Sequence, residues 1–309
     1  MSFATNVKNE ITKFEGTKTE RIALLSGFIR NNGTIDKDSI TLLAENASIA
    51  KKIYQLIKDI YHVTATITQT KNINFAKTSL YYIKINEKKN EILEDLSVFE
   101  NGKYLEEVKE YIVAEEEEMR GYLMGSFLSK GSVNDPKTAR YHLEFLIERK
   151  KEAEFIKKLL NYFHLNSKIL NRDKGYMVYI KEAEKIGDFL RIVYASNAVM
   201  YYEDIRIYRD HKNMTNRLNN CEQANIDKIV ETATNQINEI EYLKEMDVFD
   251  LLDDKTKQAA EYRLKYPESS LVELSEIISY EENTSITKSG LNHRFRKIKE
   301  LVNRMKENE

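Results

Sequence analysis

Two prolines, one cysteine and no tryptophan in 309 residues set the first limits on this chain. A single cysteine, Cys221, cannot form an internal disulfide, and such scarcity fits a reducing compartment. So few helix breakers, with only ten glycines, point to a helix-rich chain with short connections. No apolar run approaches the roughly 20 residues that a membrane span needs, so no transmembrane segment and no membrane partner are expected. The opening stretch, MSFATNVKNEITKF, lacks the apolar core of a secretory signal, and the expected location is the cytoplasm, in association with the nucleoid. Both glycine-rich phosphate loops, G-x-x-x-x-G-K-[ST] and G-x-G-x-x-G, are missing. The histidines, His62, His142, His164, His211 and His293, form no i, i+4 pair and have no companion cysteines, so no metal site and no cofactor are expected.

Neither sign of charge dominates, since the net charge is −2, but the charge is unevenly placed. Residues 285–306 hold Lys288, Arg294, Arg296, Lys297, Lys299, Arg304 and Lys306 against Glu300 alone, while Glu115 to Glu118 form an acidic run. Basic charge gathered at one end can meet a polyanion locally.

The chain also repeats itself. RIALLSGFIRNNG (21–33) is matched by MRGYLMGSFLSKG (119–131), with Gly27 and Gly33 recurring at the same offset as Gly125 and Gly131. In each copy a polar turn follows (Thr34 to Asp38; Ser132 to Lys137), then an alternating apolar stretch (Ser39 to Leu43; Tyr141 to Leu146). An amphipathic helix comes next, ending at His62 or His164, and then an extended pair, YYIKI or MVYIK. Each copy therefore reads as helix–strand–strand–helix with a further strand. The expected domains are 1–90, the first repeat with an N-terminal helix, and 91–195, a connector with the second repeat. Residues 90–118 read as that connector, acidic and helical in pattern. A helical linker at 196–245, one or two polar helices, leads to a helical module at 246–309.

That module has three helical segments. DKTKQAAEYRLKYPE is stopped by Pro267; the next opens on an S-x-x-E capping box, Ser270 with Glu273; the third opens near Thr287. Leu291, Phe295, Ile298, Val302 and Met305 put one apolar face on the third helix, with Ser289, His293, Arg296 and Lys297 on or near the opposite side and Asn292 and Lys299 flanking it. Two short helices and a long basic one make a helix-turn-helix pattern over 270–303. Ser289, Asn292, His293 and Arg296 are the candidate base-contacting residues; Arg294, Lys297 and Lys299 are candidate phosphate contacts, and Lys288 is a further candidate for DNA binding. Cys221 reads as a packing or capping residue. The tyrosines read as core, although Tyr81 and Tyr82 on a strand are placed to face a ligand.

LSGFIRNNG (Leu25 to Gly33) and LMGSFLSKG (Leu123 to Gly131) resemble the paired helices of the LAGLIDADG homing endonucleases. In active members of that family the residue before the last glycine is acidic and holds the metals for phosphodiester cleavage. Here those positions hold Asn32 and Lys130, and an amide and a cation cannot replace two carboxylates around a divalent ion. A degenerate domain of this kind followed by a helix-turn-helix resembles the WhiA family. GSVNDP (131–136), YHLEF (141–145), NRLNNCEQANIDK (216–228) and TKSGLNHRFRKI (287–298) carry that resemblance over nearly the whole chain. It implies an α/β fold: a pseudo-symmetric LAGLIDADG-type domain, then an all-α helix-turn-helix domain related to the promoter-reading domain of sigma factors. It further implies a non-enzymatic, sequence-selective DNA-binding regulator of transcription, acting in cell division and chromosome segregation. The expected partner is double-stranded DNA, with another transcription factor or RNA polymerase as a second candidate. A residual metal-dependent endonuclease and an RNA-binding or protein-binding module are the competing readings, and whether the N-terminal domain meets DNA or protein stays open.

Overall fold

A computed structural model describes residues 2–71, 79–138 and 140–307. They form two compact units, Met1–Arg209 and Asp210–Glu309, each with its own hydrophobic core.

The first unit opens with α1 (Phe3–Ile11) and runs through α2 (Lys18–Asn32), β1 (Gly33–Ile35), β2 (Ile40–Ala44), α3 (Ala47–Tyr61), β3 (Thr66–Lys71) and β4 (Ser79–Ile85). After α4 (Lys89–Asp95) and a small hairpin of β5 (Phe99–Glu100) with β6 (Lys103–Tyr104), the same order returns. The second copy consists of α5 (Glu116–Lys130), β7 (Gly131–Val133), β8 (Leu143–Ile147), α6 (Lys150–Tyr162), β9 (Lys168–Arg172) and β10 (Gly175–Ile180), and α7 (Ala183–Ile192) follows it. The two antiparallel sheets have matching orders, β1-β2-β4-β3 and β7-β8-β10-β9. The repeat seen in the sequence is therefore a repeat of topology.

Helices α2 and α5 form the centre of this unit. From Ala23 to Ile29 and from Gly121 to Leu128 they are buried on every side, as expected of helices enclosed by their own core. Their contact depends on glycine. A Cβ at Gly125 would overlap the Leu24 carbonyl, and one at Gly27 would overlap that of Tyr122, so the two backbones touch directly. Gly33 and Gly131 follow the two helices in extended rather than left-handed conformation, and lead straight into β1 and β7.

Two expectations need correction. Each copy has four strands where three were read: the polar turns after each glycine begin as strands, β1 and β7, and β3 and β9 lie ahead of β4 and β10. Each of these four lies at a sheet edge with one neighbour; TITQTK in β3 is exposed at every position from Thr66 to Thr70 and shows no buried face in its sequence. The 90–118 stretch is not a helical connector. It is one short helix, a hairpin and a single 3-10 turn, and Leu93, Leu96, Val98 and Ile112 bury it in the core. The stretch after residue 195, read as one or two helices, is a single one, α8 (Ser196–Glu245), which begins in the first unit and continues into the second.

The second unit adds α9 (Asp254–Lys265), α10 (Leu271–Glu281) and α11 (Lys288–Lys306). Its core takes Ile240 and Leu243 from α8 alongside Ala259, Leu274, Ile278 and Phe295, so the last turns of the expected linker pack into the helical module. Among the described residues no helix is long and apolar enough to cross a membrane.

Candidate nucleic-acid interface

Local chemistry fixes where α10 and α11 begin. At α10 the Ser270 hydroxyl accepts the Glu273 N–H at 3.2 Å, and the Glu273 carboxylate accepts the Ser270 N–H at 2.7 Å. The Thr287 hydroxyl accepts the Gly290 N–H at the start of α11. Between the helices the Ser279 hydroxyl accepts the Ile286 N–H at 3.0 Å, which holds the turn. Leu291, Phe295, Ile298 and Val302 are buried, and each contributes about 1.5–3 kcal/mol of anchoring.

With that face buried, the opposite side of α11 is presented to solvent. Lys288, Ser289, Asn292, His293, Arg296, Lys297 and Lys299 are all exposed. Ser289, His293 and Arg296 make no hydrogen bond or ion pair within the described residues, so their donors and acceptors are free. The other candidates are partly engaged. Arg294 is half-buried and donates to the Lys255 carbonyl at 3.0 Å. Lys297 lies 3.3 Å from Asp253, both of them half-exposed. Asn292, Arg296 and Lys299 flank a groove of about 290 Å³ whose far wall is Asn235, Gln236 and Glu239 of α8. Glu239 of α8 thus lies beside the outer face of α11, and burial raises its pKa against the pull of Lys299 and Lys306.

One residue behind this face has no signal in the sequence. Arg263 of α9 is 1% exposed, donates to Gln236 and to the Ser269 carbonyl, and has no carboxylate partner among the described residues. Burial alone lowers its pKa. It ties α8, α9 and the start of α10 together beneath the Phe295 ring. Only tertiary contacts reveal that role. The packing role expected of Cys221 is not seen, because its side chain is exposed.

In the first unit, Asn32 and Lys130 are the last residues of α2 and α5, and line a single cavity there. The Asn32 amide donates to the Leu43 carbonyl, and the Lys130 ammonium is 3.7 Å from Glu148. Among the described residues no group of three or more His, Cys, Asp or Glu could hold a metal ion. Beside the cavity lies a buried ion pair: Arg30 Nε donates to Glu152 at 2.9 Å, with both side chains at most 2% exposed. The Arg30 guanidinium also donates to the carbonyls of Ser97 and Leu105, and Glu152 accepts from Tyr122 and Asn31. Burial works against the Arg30 charge, but Tyr122, Glu152 and Tyr104 outweigh it and leave its pKa raised. Burial and Glu152 push the Tyr122 hydroxyl well up as well.

Three family profiles cover most of the chain: a WhiA N-terminal LAGLIDADG-like domain at 18–99, a WhiA LAGLIDADG-like domain at 119–212 and a WhiA C-terminal HTH domain at 215–302. The chain is 39% identical over 311 residues to the "Probable cell division protein WhiA" of Enterococcus faecalis, covering 99% of each. It is 41% identical over 314 residues to the protein of the same name in Bacillus cytotoxicus, covering 100% of this chain and 98% of the other. Among solved structures, full-length DUF199/WhiA from Thermatoga maritima has the same fold, with a TM-score of 0.60 and 23% identity over 98% of this chain and 99% of that one. The N-terminal LAGLIDADG domain of DUF199/WhiA matches with a TM-score of 0.52 and 22% identity, over 62% of this chain and 90% of that one.

Proposed function

The chain belongs to the WhiA family, and from that premise we propose that it is a sequence-selective binder of double-stranded DNA that regulates transcription and does not cut its target. The observation that carries this reading is the outer face of α11, where Ser289, His293 and Arg296 stand exposed, with no side-chain partner among the described residues, on a helix fixed by four buried side chains. A major groove accepts such a helix. Arginine can bridge two acceptors of guanine, while serine, asparagine and histidine supply donors for other base edges. Lys288, Lys297 and Lys299 surround that face and would meet phosphates. The absence of cleavage is supported by the pair at the ends of α2 and α5, an amide and an ammonium where a divalent ion needs carboxylates. The names of the relatives support a role in cell division, and we place the site of action in the cytoplasm at the nucleoid.

The test is capture of fragmented genomic DNA from the source organism by the full chain, beside Arg296→Ala, with a Mg²⁺ digestion run in parallel. Selective enrichment, with Arg296→Ala losing about 1–3 kcal/mol of affinity and relaxing its selectivity, is the expected result. Equal enrichment by the variant would remove α11 as the reader. Mg²⁺-dependent cut product would restore the endonuclease reading, and preference for RNA over duplex DNA would replace the target class.

A further inference from the structure

The cavity at the ends of α2 and α5 has a chemistry of its own. It measures about 290 Å³, and its wall takes residues from both repeats: Thr34, Thr41 and Tyr82 from the first, Lys130 and Arg149 from the second. The hydroxyls of Thr34, Thr41 and Tyr82 make no hydrogen bond within the described residues. Thr34 and Thr41 are direct partners across β1 and β2, and Tyr82 sits opposite Leu43 across β2 and β4, so the three emerge on one face of the sheet. Lys130 is beyond hydrogen-bonding distance of Glu148, whose side chain is 74% exposed and free to turn away. Arg149 sits over the Tyr104 ring, its Cζ 4.0 Å from the centroid, donates to the Arg30 carbonyl and has no carboxylate partner among the described residues. Arg30 stands behind it, neutralised by Glu152.

Two cations and three unengaged hydroxyls thus line one small space, with the exposed Glu148 carboxylate at its rim. Two cations beside hydroxyls able to donate match a compact polyoxyanion: several oxygens, each able to take a charge-assisted hydrogen bond. We propose that this cavity binds a phosphoryl group, with Lys130 and Arg149 supplying charge and Thr34, Thr41 and Tyr82 supplying neutral donors. The group can come from a free phosphorylated small molecule or from one phosphate of a DNA backbone. The site is independent of the α11 reading, since none of its residues belongs to the second unit.

The experiment is calorimetric titration of the full chain with pyrophosphate in wild type, Lys130→Met, Tyr82→Phe and the double variant Arg296→Ala/Lys297→Ala. One saturable site is expected in wild type and in the double variant, weakened at least tenfold by Lys130→Met. Tyr82→Phe removes one hydroxyl from a position 36% exposed and should weaken binding by a smaller factor while leaving the unliganded melting temperature unchanged, so it reads the site even if Lys130→Met folds poorly. No saturable heat in wild type, or heat abolished only by the double variant, overturns the proposal. Repeating the titration on chain saturated with a 20-base-pair duplex separates the two sources. Loss of the pyrophosphate site identifies a backbone phosphate as the ligand, and retention identifies a free phosphorylated molecule; both require Lys130.

Discussion

Arg30 and Glu152 meet where neither could stand alone. The pair is sealed from water, and further donors of the guanidinium go to the carbonyls of Ser97, Leu105 and Glu106. Truncating one partner of a buried pair strands the other charge, which costs about 3–5 kcal/mol, whereas replacing both with apolar groups removes the stranded charge. Arg30→Met should therefore lower unfolding stability by about that amount in a urea titration, and Arg30→Met/Glu152→Leu should recover most of it. An equally unstable double variant would show that the carbonyl bonds, not the ion pair, dominate. Glu281 offers a test at a single exposed carboxyl. Hydrogen bonds from Lys265, Tyr266 and Tyr262 hold its pKa down to about 2. A group depressed in the folded state stabilises above its ordinary range and loses that contribution as pH falls through the folded value. The melting temperature of wild type should thus fall more steeply than that of Glu281→Gln between about pH 4.5 and pH 2. Parallel curves would show that the three contacts do not bias the folded state.

At the scale of elements, the two glycines that look alike in composition act in opposite ways. Gly125 has the Leu24 backbone where a Cβ would stand, and neither helix can retreat from a core packed on all sides. Gly125→Ala should destabilise the first unit by about 3 kcal/mol. Gly290 lies in the first turn of α11, where an added Cβ finds its nearest neighbour at 3.6 Å, an ordinary contact. Gly290→Ala should stabilise by about 0.5–1 kcal/mol, because alanine loses less backbone freedom in a helix. Thermal denaturation of both variants checks the signs. The same contrast shows what was legible in the chain beforehand. The glycine-spaced repeat, the capping box at Ser270 and the 4-3-4-3 apolar spacing of α11 are local patterns with one structural meaning each. The outer face of α11 followed from that spacing alone. β3 and β9 are polar edge strands stabilised by pairing, which leaves no alternation to read. The contacts of Arg30 reach residues 67 to 122 positions away, and those of Arg263 depend on the docking of three helices, so only the fold could disclose either.

The whole molecule carries two separate cores, one built on α2 and α5 and the other on α9, α10, α11 and the end of α8. Separate cores unfold as separate cooperative units unless their interface is large. Differential scanning calorimetry should resolve two transitions. Gly125→Ala should move one, and Leu291→Ala, which opens a cavity worth about 2–5 kcal/mol, should move the other. A single transition shifted by both variants would instead show that the two cores melt as one.

The first unit looks as if either of its halves could be exchanged for the other, since helix, strand order and glycine spacing all repeat. The buried ion pair forbids it. At the repeat offset Leu128 stands where Arg30 stands, and Ala50 is the counterpart of Glu152 when the helices are aligned on His62 and His164. Two copies of the second half would bury two carboxylates with no guanidinium; two copies of the first would bury two guanidiniums with no carboxylate. Each half is thus half of a lock whose key is the other, and a unit that repeats in outline works only as a pair of unlike parts.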